Sequence, residues 1–216
     1  TEEEFIWYSF GGGGCGARPN KDGNNVEWMT MHNCKKESME IWETRYPVFF
    51  EREEMIQDSA GAGKYRGGLG AARLIKMTAD TWITSTADRH VEPPWGYEGG
   101  TDGLPNHYWI KRDGVESDLP KLFGIKSPSK FANVPLERDD VLTIVWGGGG
   151  GYGDVLDRDP ELVQMDVLNG YVSVEKAREL YKVCIDPNTG EIDRDRTRKL
   201  MEEMRAKREA LSSKKS

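Results

Sequence analysis

The sequence predicts an α+β fold in which a β-rich body with glycine-rich loops, residues 1–155, is followed by a small helical carboxy-terminal segment, residues 156–216. Three observations predict it. Short runs of aromatic and β-branched residues recur between turn signals as far as Trp146. Glycine is gathered into clusters between those runs, where a chain must turn sharply or pass close to another backbone. Beyond Asp154 the pattern changes to capped helices.

Taken in order, Phe5–Phe10 (Phe-Ile-Trp-Tyr-Ser-Phe) is expected to be a buried strand feeding the glycines Gly11–Gly14, and Arg18–Gly23 continues as loop. Between Glu27 and Cys34 an apolar strip of Trp28, Met29 and Met31 carries His32. Its imidazole could ligate or carry a proton, or simply be hydrogen-bonded beside the aromatics. Tyr46–Phe50 reads as a strand, and Pro47, which has no N–H for a ladder, places it near an edge. Ala72–Thr78 and Trp82–Thr86 alternate around Ala79-Asp80 as a hairpin does, so the simplest body is a β-meander with glycine-rich corners on one side. His107–Arg112 with the turn Asp113-Gly114 is another hairpin arm. Ser117–Pro135 has prolines and lysines without a period and reads as loop, and Val141–Trp146 is the clearest buried strand.

In the carboxy-terminal segment Asp159 caps a helix that begins at Pro160 and closes at Gly170. Ser173 caps a second helix with Val174, Ala177, Leu180 and Tyr181 on one face. Val183–Asp186 turns at Pro187–Gly190 into Glu191–Asp193, and a last helix runs from about Arg194 to Leu211.

Apolar residues make up only 37% of the 216 residues against 31% charged, which suits either a subunit that completes its core against partners or a polar domain with solvated tails. A net charge of -7, and basic residues near the end interleaved with acids, exclude a nucleic-acid-binding face. No apolar run reaches the roughly 20 residues of a membrane span, and Thr1-Glu2-Glu3-Glu4 is the wrong chemistry for a signal peptide. Cys15, Cys34 and Cys184 are three and far apart, so neither a disulfide framework nor a zinc knuckle is expected. A cytoplasmic protein follows.

Two stretches carry candidate chemistry. Asp58–Gly70 holds five glycines with Lys64, Tyr65 and Arg66, so backbone amides and cations lie together, either as an anion-binding concavity or as a cluster of tight turns. It fails the P-loop pattern, because Asp58 stands where the first glycine belongs and Tyr65 where Ser or Thr belongs, and no triplet fits Gly-x-Gly-x-x-Gly. In the second stretch Asp88-Arg89 either pairs internally or presents the guanidinium fork to a carboxylate or phosphate, while Trp95 lies beside exposed backbone or plugs an interface.

Gly11–Pro19, Glu43–Pro47, Asp58–Gly70, Ala87–Gly100, Gly147–Asp154 and Leu156–Pro160, in this order, resemble the B-type subunit of the hydantoinase/oxoprolinase family, which includes the large subunits of acetone and acetophenone carboxylases. The chain departs from that pattern at Asn33–Lys36 and at Val145-Trp146, where the family usually has Thr-Pro before the glycines. It matches none of the family's amino-terminal His and Asp motifs for a catalytic metal. The resemblance implies an ATP-dependent complex in which an A-type subunit with an actin-like fold phosphorylates substrate. The B-type subunit then completes either ketone carboxylation, the preferred reading, or hydrolysis of a cyclic amide; a non-catalytic scaffold is the remaining alternative. The partners implied are the A-type subunit, a separate chain with the amino-terminal B-type half, and a small third subunit. ATP, Mg and a divalent metal held by a partner chain are the cofactors, with no metal ligands here. On this chain the catalytic candidates are Arg89, Asp88 and His32; Gly61, Gly63, Lys64, Arg66, Trp95, Gly149 and Tyr152 are expected to line the intermediate's site.

Overall fold

The computed structural model describes residues 5–27 and 38–212, so His32 and the strip around it lie outside the described residues. A short helix α1 (Met39–Arg45) leads into β1 (Val48–Met55), which pairs antiparallel with β2 (Ala71–Met77). The remaining elements of the body are β3 (Thr81–Thr86), β4 (His107–Arg112), β5 (Val115–Asp118), α2 (Leu119–Phe123), β6 (Lys130–Leu136) and β7 (Val141–Trp146). They form a five-stranded antiparallel sheet of order β1-β2-β7-β4-β5 and a two-stranded sheet β3-β6. Both sheets contribute to one core, with Phe50, Ile75, Ile110 and Leu142 from the larger and Phe131, Val134 and Leu136 from the smaller.

The α+β class stands, with several of its expected connections rearranged. β2 and β3 are no hairpin, because both edges of β2 are taken by β1 and β7, and β3 leaves to pair with β6. The body is accordingly not a meander. The stretch expected as loop contains α2 and β6; Pro135 is tolerated in β6 because that strand pairs on one side only. Phe5–Phe10 forms no strand. Trp7 turns inward, its ring 5.5 Å from Trp42 and 5.9 Å from Phe50, while Ile6 and Tyr8 are 91% and 74% exposed. Pro47 does precede an edge strand, and Asp113 and Gly114, with φ of 50° and 78°, make the β4-β5 turn.

The glycine clusters are neither helix nor strand. Stretches 11–17, 23–27, 59–70, 94–104 and 147–153 lie side by side with Gly147–Gly151 among them. A Cβ on Gly148 or Gly151 would meet Ser59 O at 1.9 Å and Ala62 O at 2.1 Å; on Gly147 or Gly150, Leu104 O and Trp95 O, each at 2.0 Å; on Gly149, Cys15 O at 2.0 Å. Directions repeat every third residue. The hydrogen bonds keep the same count: Gly14 N and Ala17 N donate to Gly147 O and Gly150 O, and Gly148 N and Gly151 N donate to Leu104 O and Thr101 O. Three residues per turn without internal hydrogen bonds is the geometry of a polyproline-II helix, whose main-chain groups are free to bond neighbours. Only glycine lets backbones approach this closely.

The remaining helices are α3 (Pro160–Leu168), α4 (Val174–Glu179) and α5 (Arg194–Ser212). Asp159 and Ser173 cap α3 and α4 by accepting from Glu161 N and Lys176 N. A second core of Val163, Val172, Ala177, Tyr181, Val183 and Ile185 also takes in Ala62 and Val155. Arg158 and Arg66 fasten these helices to the glycine bundle: Arg158 bonds Asp22 and Asp166 at 2.7 Å each, and Arg66 Nε bonds Asp166 at 3.1 Å. No helix among the described residues is long and apolar enough to cross a membrane.

Candidate functional site

The stretch that begins at Ala87 joins the glycine bundle from Pro94 on and is tied down there. Gly103 N donates to Pro94 O, Tyr97 N to Gly151 O and Gly153 N to Tyr97 O, each at 2.9 Å, while Asp102 Oδ1 accepts from Gly96 N at 2.9 Å. With the backbone fixed, Trp95 and Tyr97 stand outward, 64% and 61% exposed.

Arg89 lies on the face of Trp95, its guanidinium carbon 4.4 Å from the ring centre. A guanidinium on a ring face keeps N–H groups available to an anion. No carboxylate among the described residues pairs with it. Asp88 turns instead to Lys130 at 2.9 Å, and that hydrogen bond and charge hold its carboxyl below the usual range. Two residues on, Tyr97 and Tyr152 have ring centres 5.9 Å apart, Tyr152 and Tyr65 exchange backbone hydrogen bonds, and exposed Lys64 lies 5.7 Å from the Tyr65 ring.

The other sequence candidates are placed differently. Gly61 N donates to Gly149 O at 2.8 Å and Gly149 N to Gly68 O at 2.9 Å, so these amides are engaged inside the bundle and face no anion. Gly63 packs against the Tyr152 backbone. Arg66 is buried, bonded to Asp166 and to Gly67 O, with its guanidinium carbon 5.2 Å from the Tyr171 ring centre. Of the sequence candidates, the structure brings Arg89 and Trp95 into contact, leaves Lys64 exposed beside Tyr65, and places Gly61, Gly149 and Arg66 in the interior.

Two side chains that the sequence reading did not name as site candidates, Asn106 and His90, lie behind Arg89. Asn106, just before β4, donates from Nδ2 to Asp88 O. His90 donates from Nδ1 to the same carbonyl at 3.0 Å, which leaves its Nε2 as an acceptor, and its ring stacks on Tyr108. Burial, and after it the nearby His107, outweigh the Asp88 carbonyl and push the His90 pKa below its ordinary 6.5. His90 Nε2 and Asp118 Oδ1 are buried without hydrogen-bond partners, while His107 Nε2 lies 3.4 Å from Asp118 Oδ2. No group of three or more His, Cys, Asp or Glu among the described residues could hold a metal ion. The only signal for Asn106 in the sequence is a polar amide at a strand start, too common to single out.

The sequence pattern of the Hydantoinase B/oxoprolinase family matches residues 1–155. Over 93% of its length the chain is 33% identical to a protein of Pseudomonas sp. (strain NS671) assigned as the B-type subunit of a D-/L-hydantoinase, and covers 33% of that protein. It is 28% identical to the acetophenone carboxylase delta subunit of Aromatoleum aromaticum, over 91% of this chain and 32% of that one. A nucleotide-free acetone carboxylase structure superposes with a TM-score of 0.77 and 23% identity, over 92% of this chain and 30% of its own, a likeness of fold. The chain spans about a third of the length of these relatives.

Proposed function

Because this chain belongs to the hydantoinase B/oxoprolinase family, we propose that it forms part of the B-type subunit of an ATP-dependent ketone carboxylase and that Arg89 meets the activated anion there. The observation that carries this reading is the exposed Arg89 guanidinium, stacked on Trp95 with no carboxylate partner among the described residues. A planar fork with a free edge suits a carboxylate or phosphate oxygen pair, and charge-assisted bonds of this kind stabilise negative charge that develops during reaction. In this reading residues 1–155 are the B-type core portion and 156–216 its helical segment. An actin-like A-type subunit supplies phosphoryl transfer with ATP and Mg. In the same reading the catalytic divalent metal is held by a separate chain that carries the amino-terminal B-type half.

Hydrolysis of a cyclic amide is the second reading, favoured by the 33% identity to the hydantoinase relative. Assaying the assembled complex for ATP-dependent incorporation of bicarbonate into ketones, against ring opening of hydantoins and 5-oxoproline, decides between them. Carboxylation is expected, and amide cleavage without it overturns the assignment. Arg89→Ala is expected to lower kcat/KM roughly 10- to 100-fold, the loss of one charge-assisted contact, with assembly unchanged. Unaltered turnover in the assembled complex would leave this chain a scaffold.

A further inference from the structure

We propose that Asn106, with His90 behind it, is a positioning clamp that fixes Arg89 over Trp95 by fastening the Asp88-Arg89 backbone to the start of the glycine run. Arg89 has φ of 62°, in the left-handed region that a residue with a side chain rarely adopts unaided. Something must hold it there. Asn106 N donates to Arg89 O at 2.8 Å and Asn106 Nδ2 to Asp88 O at 2.8 Å, so one residue grips both carbonyls of the turn. His90 Nδ1 shares the Asp88 carbonyl at 3.0 Å, and its ring is stacked on Tyr108, which is itself buried in the body's core.

The clamp has a fixed end. Asn106 Oδ1 accepts from Gly147 N at 2.6 Å, and Gly147 packs so closely on Leu104 O that a Cβ there would stand 2.0 Å from it. The same amide side chain therefore bonds the loop with its nitrogen and the glycine bundle with its oxygen. Aspartate at this position keeps the oxygen toward Gly147 and sets a second acceptor against Asp88 O, so Asn106→Asp removes the side-chain grip on Asp88 O while leaving the anchor and the main-chain bond to Arg89 O. His90→Phe keeps the stacking on Tyr108 and removes the other donor. For its consequence in turnover the inference rests on the proposed role of Arg89; the placement itself does not.

The test is fluorine NMR of the full chain labelled with 5-fluorotryptophan, with the Trp95 resonance assigned by Trp95→Phe and the position for an unoccupied ring face taken from Arg89→Ala. Asn106→Asp is expected to move the Trp95 resonance at least halfway to that position, with the resonances of buried Trp42 and half-buried Trp146 unmoved. His90→Phe is expected to move it in the same direction by less. In the assembled complex Asn106→Asp should lower kcat about tenfold or more with KM for ATP unchanged. A Trp95 resonance that stays in place in both variants overturns the clamp, as does movement of all tryptophan resonances together in both, which would make these residues supports of the fold at large. Movement of Trp95 without a fall in kcat upholds the clamp and refutes the catalytic use of Arg89.

Discussion

A thiol next to glycine backbone is an obvious place to look for a nucleophile, yet Cys15 is chemically quiet. Its Sγ donates to Glu27 Oε2 at 3.2 Å, and burial together with that bond raises its pKa from 9.0 to about 11. The thiolate is the reactive form, so this rise leaves about a hundredfold less of it at about pH 8 than at an unperturbed site. Iodoacetamide is expected to label Cys15 correspondingly slowly, and Glu27→Gln to speed the reaction; mass-spectrometric labelling at the rate of a free thiol would contradict this. Arg89 is the opposite case, a group whose position leaves its polar edge to solvent. Arg89 and Trp95 could both be singled out from the sequence because they stand in one stretch, residues 87–100. The bonds of Asn106 and His90 to the Asp88 carbonyl could not, since they depend on carbonyl directions that no residue spacing encodes.

At the level of elements, the glycine run makes a graded prediction. Gly149→Ala forces a methyl to within 2.0 Å of Cys15 O, and the obstacle is backbone that cannot step aside, whereas at Gly16 the nearest atom, Gly150 O, is 4.0 Å away. Overpacking of the first kind costs about 3 kcal/mol, roughly 6–12 °C of Tm for a chain of this size, and Gly16→Ala should change Tm little. Equal melting of the two variants by calorimetry would count against close packing. Elements with local signals were readable from sequence: β7, the Asp159 and Ser173 caps and the Asp113-Gly114 turn all lie where their residues place them. Pairing was not readable. β2 ends in a turn-like Ala79-Asp80, but Asp139 N and Met77 O bond across to the β7 approach, and β3 goes to the other sheet. Nor could the glycine clusters be recognised as one body, because their partners are main-chain atoms far away in sequence.

For the molecule as a whole, the join between bundle and helices rests on buried charge. Burial works to raise the Asp22 carboxyl, but the Arg158 hydrogen bonds and charge and the Arg66 amide overcome it and hold it below its ordinary 3.8. A carboxyl depressed on folding contributes stability that is present above the unfolded value and lost as pH falls through the folded one. Tm should therefore be level above about pH 5 and fall below about pH 4. Arg158→Met, which leaves Asp22 and buried Asp166 without this partner, should cost about 3–5 kcal/mol at neutral pH and less in acid, where Asp22 is protonated. A penalty independent of pH would refute the ion-pair account. The glycine bundle has a further consequence at this scale. Amino-acid variety normally lets a protein interior drift, one side chain shrinking as another grows. Where main chain touches main chain there is nothing to exchange, so Gly147–Gly151 has no room for compensation, and change in this protein must be confined to the loops and helices around a centre that cannot be rewritten.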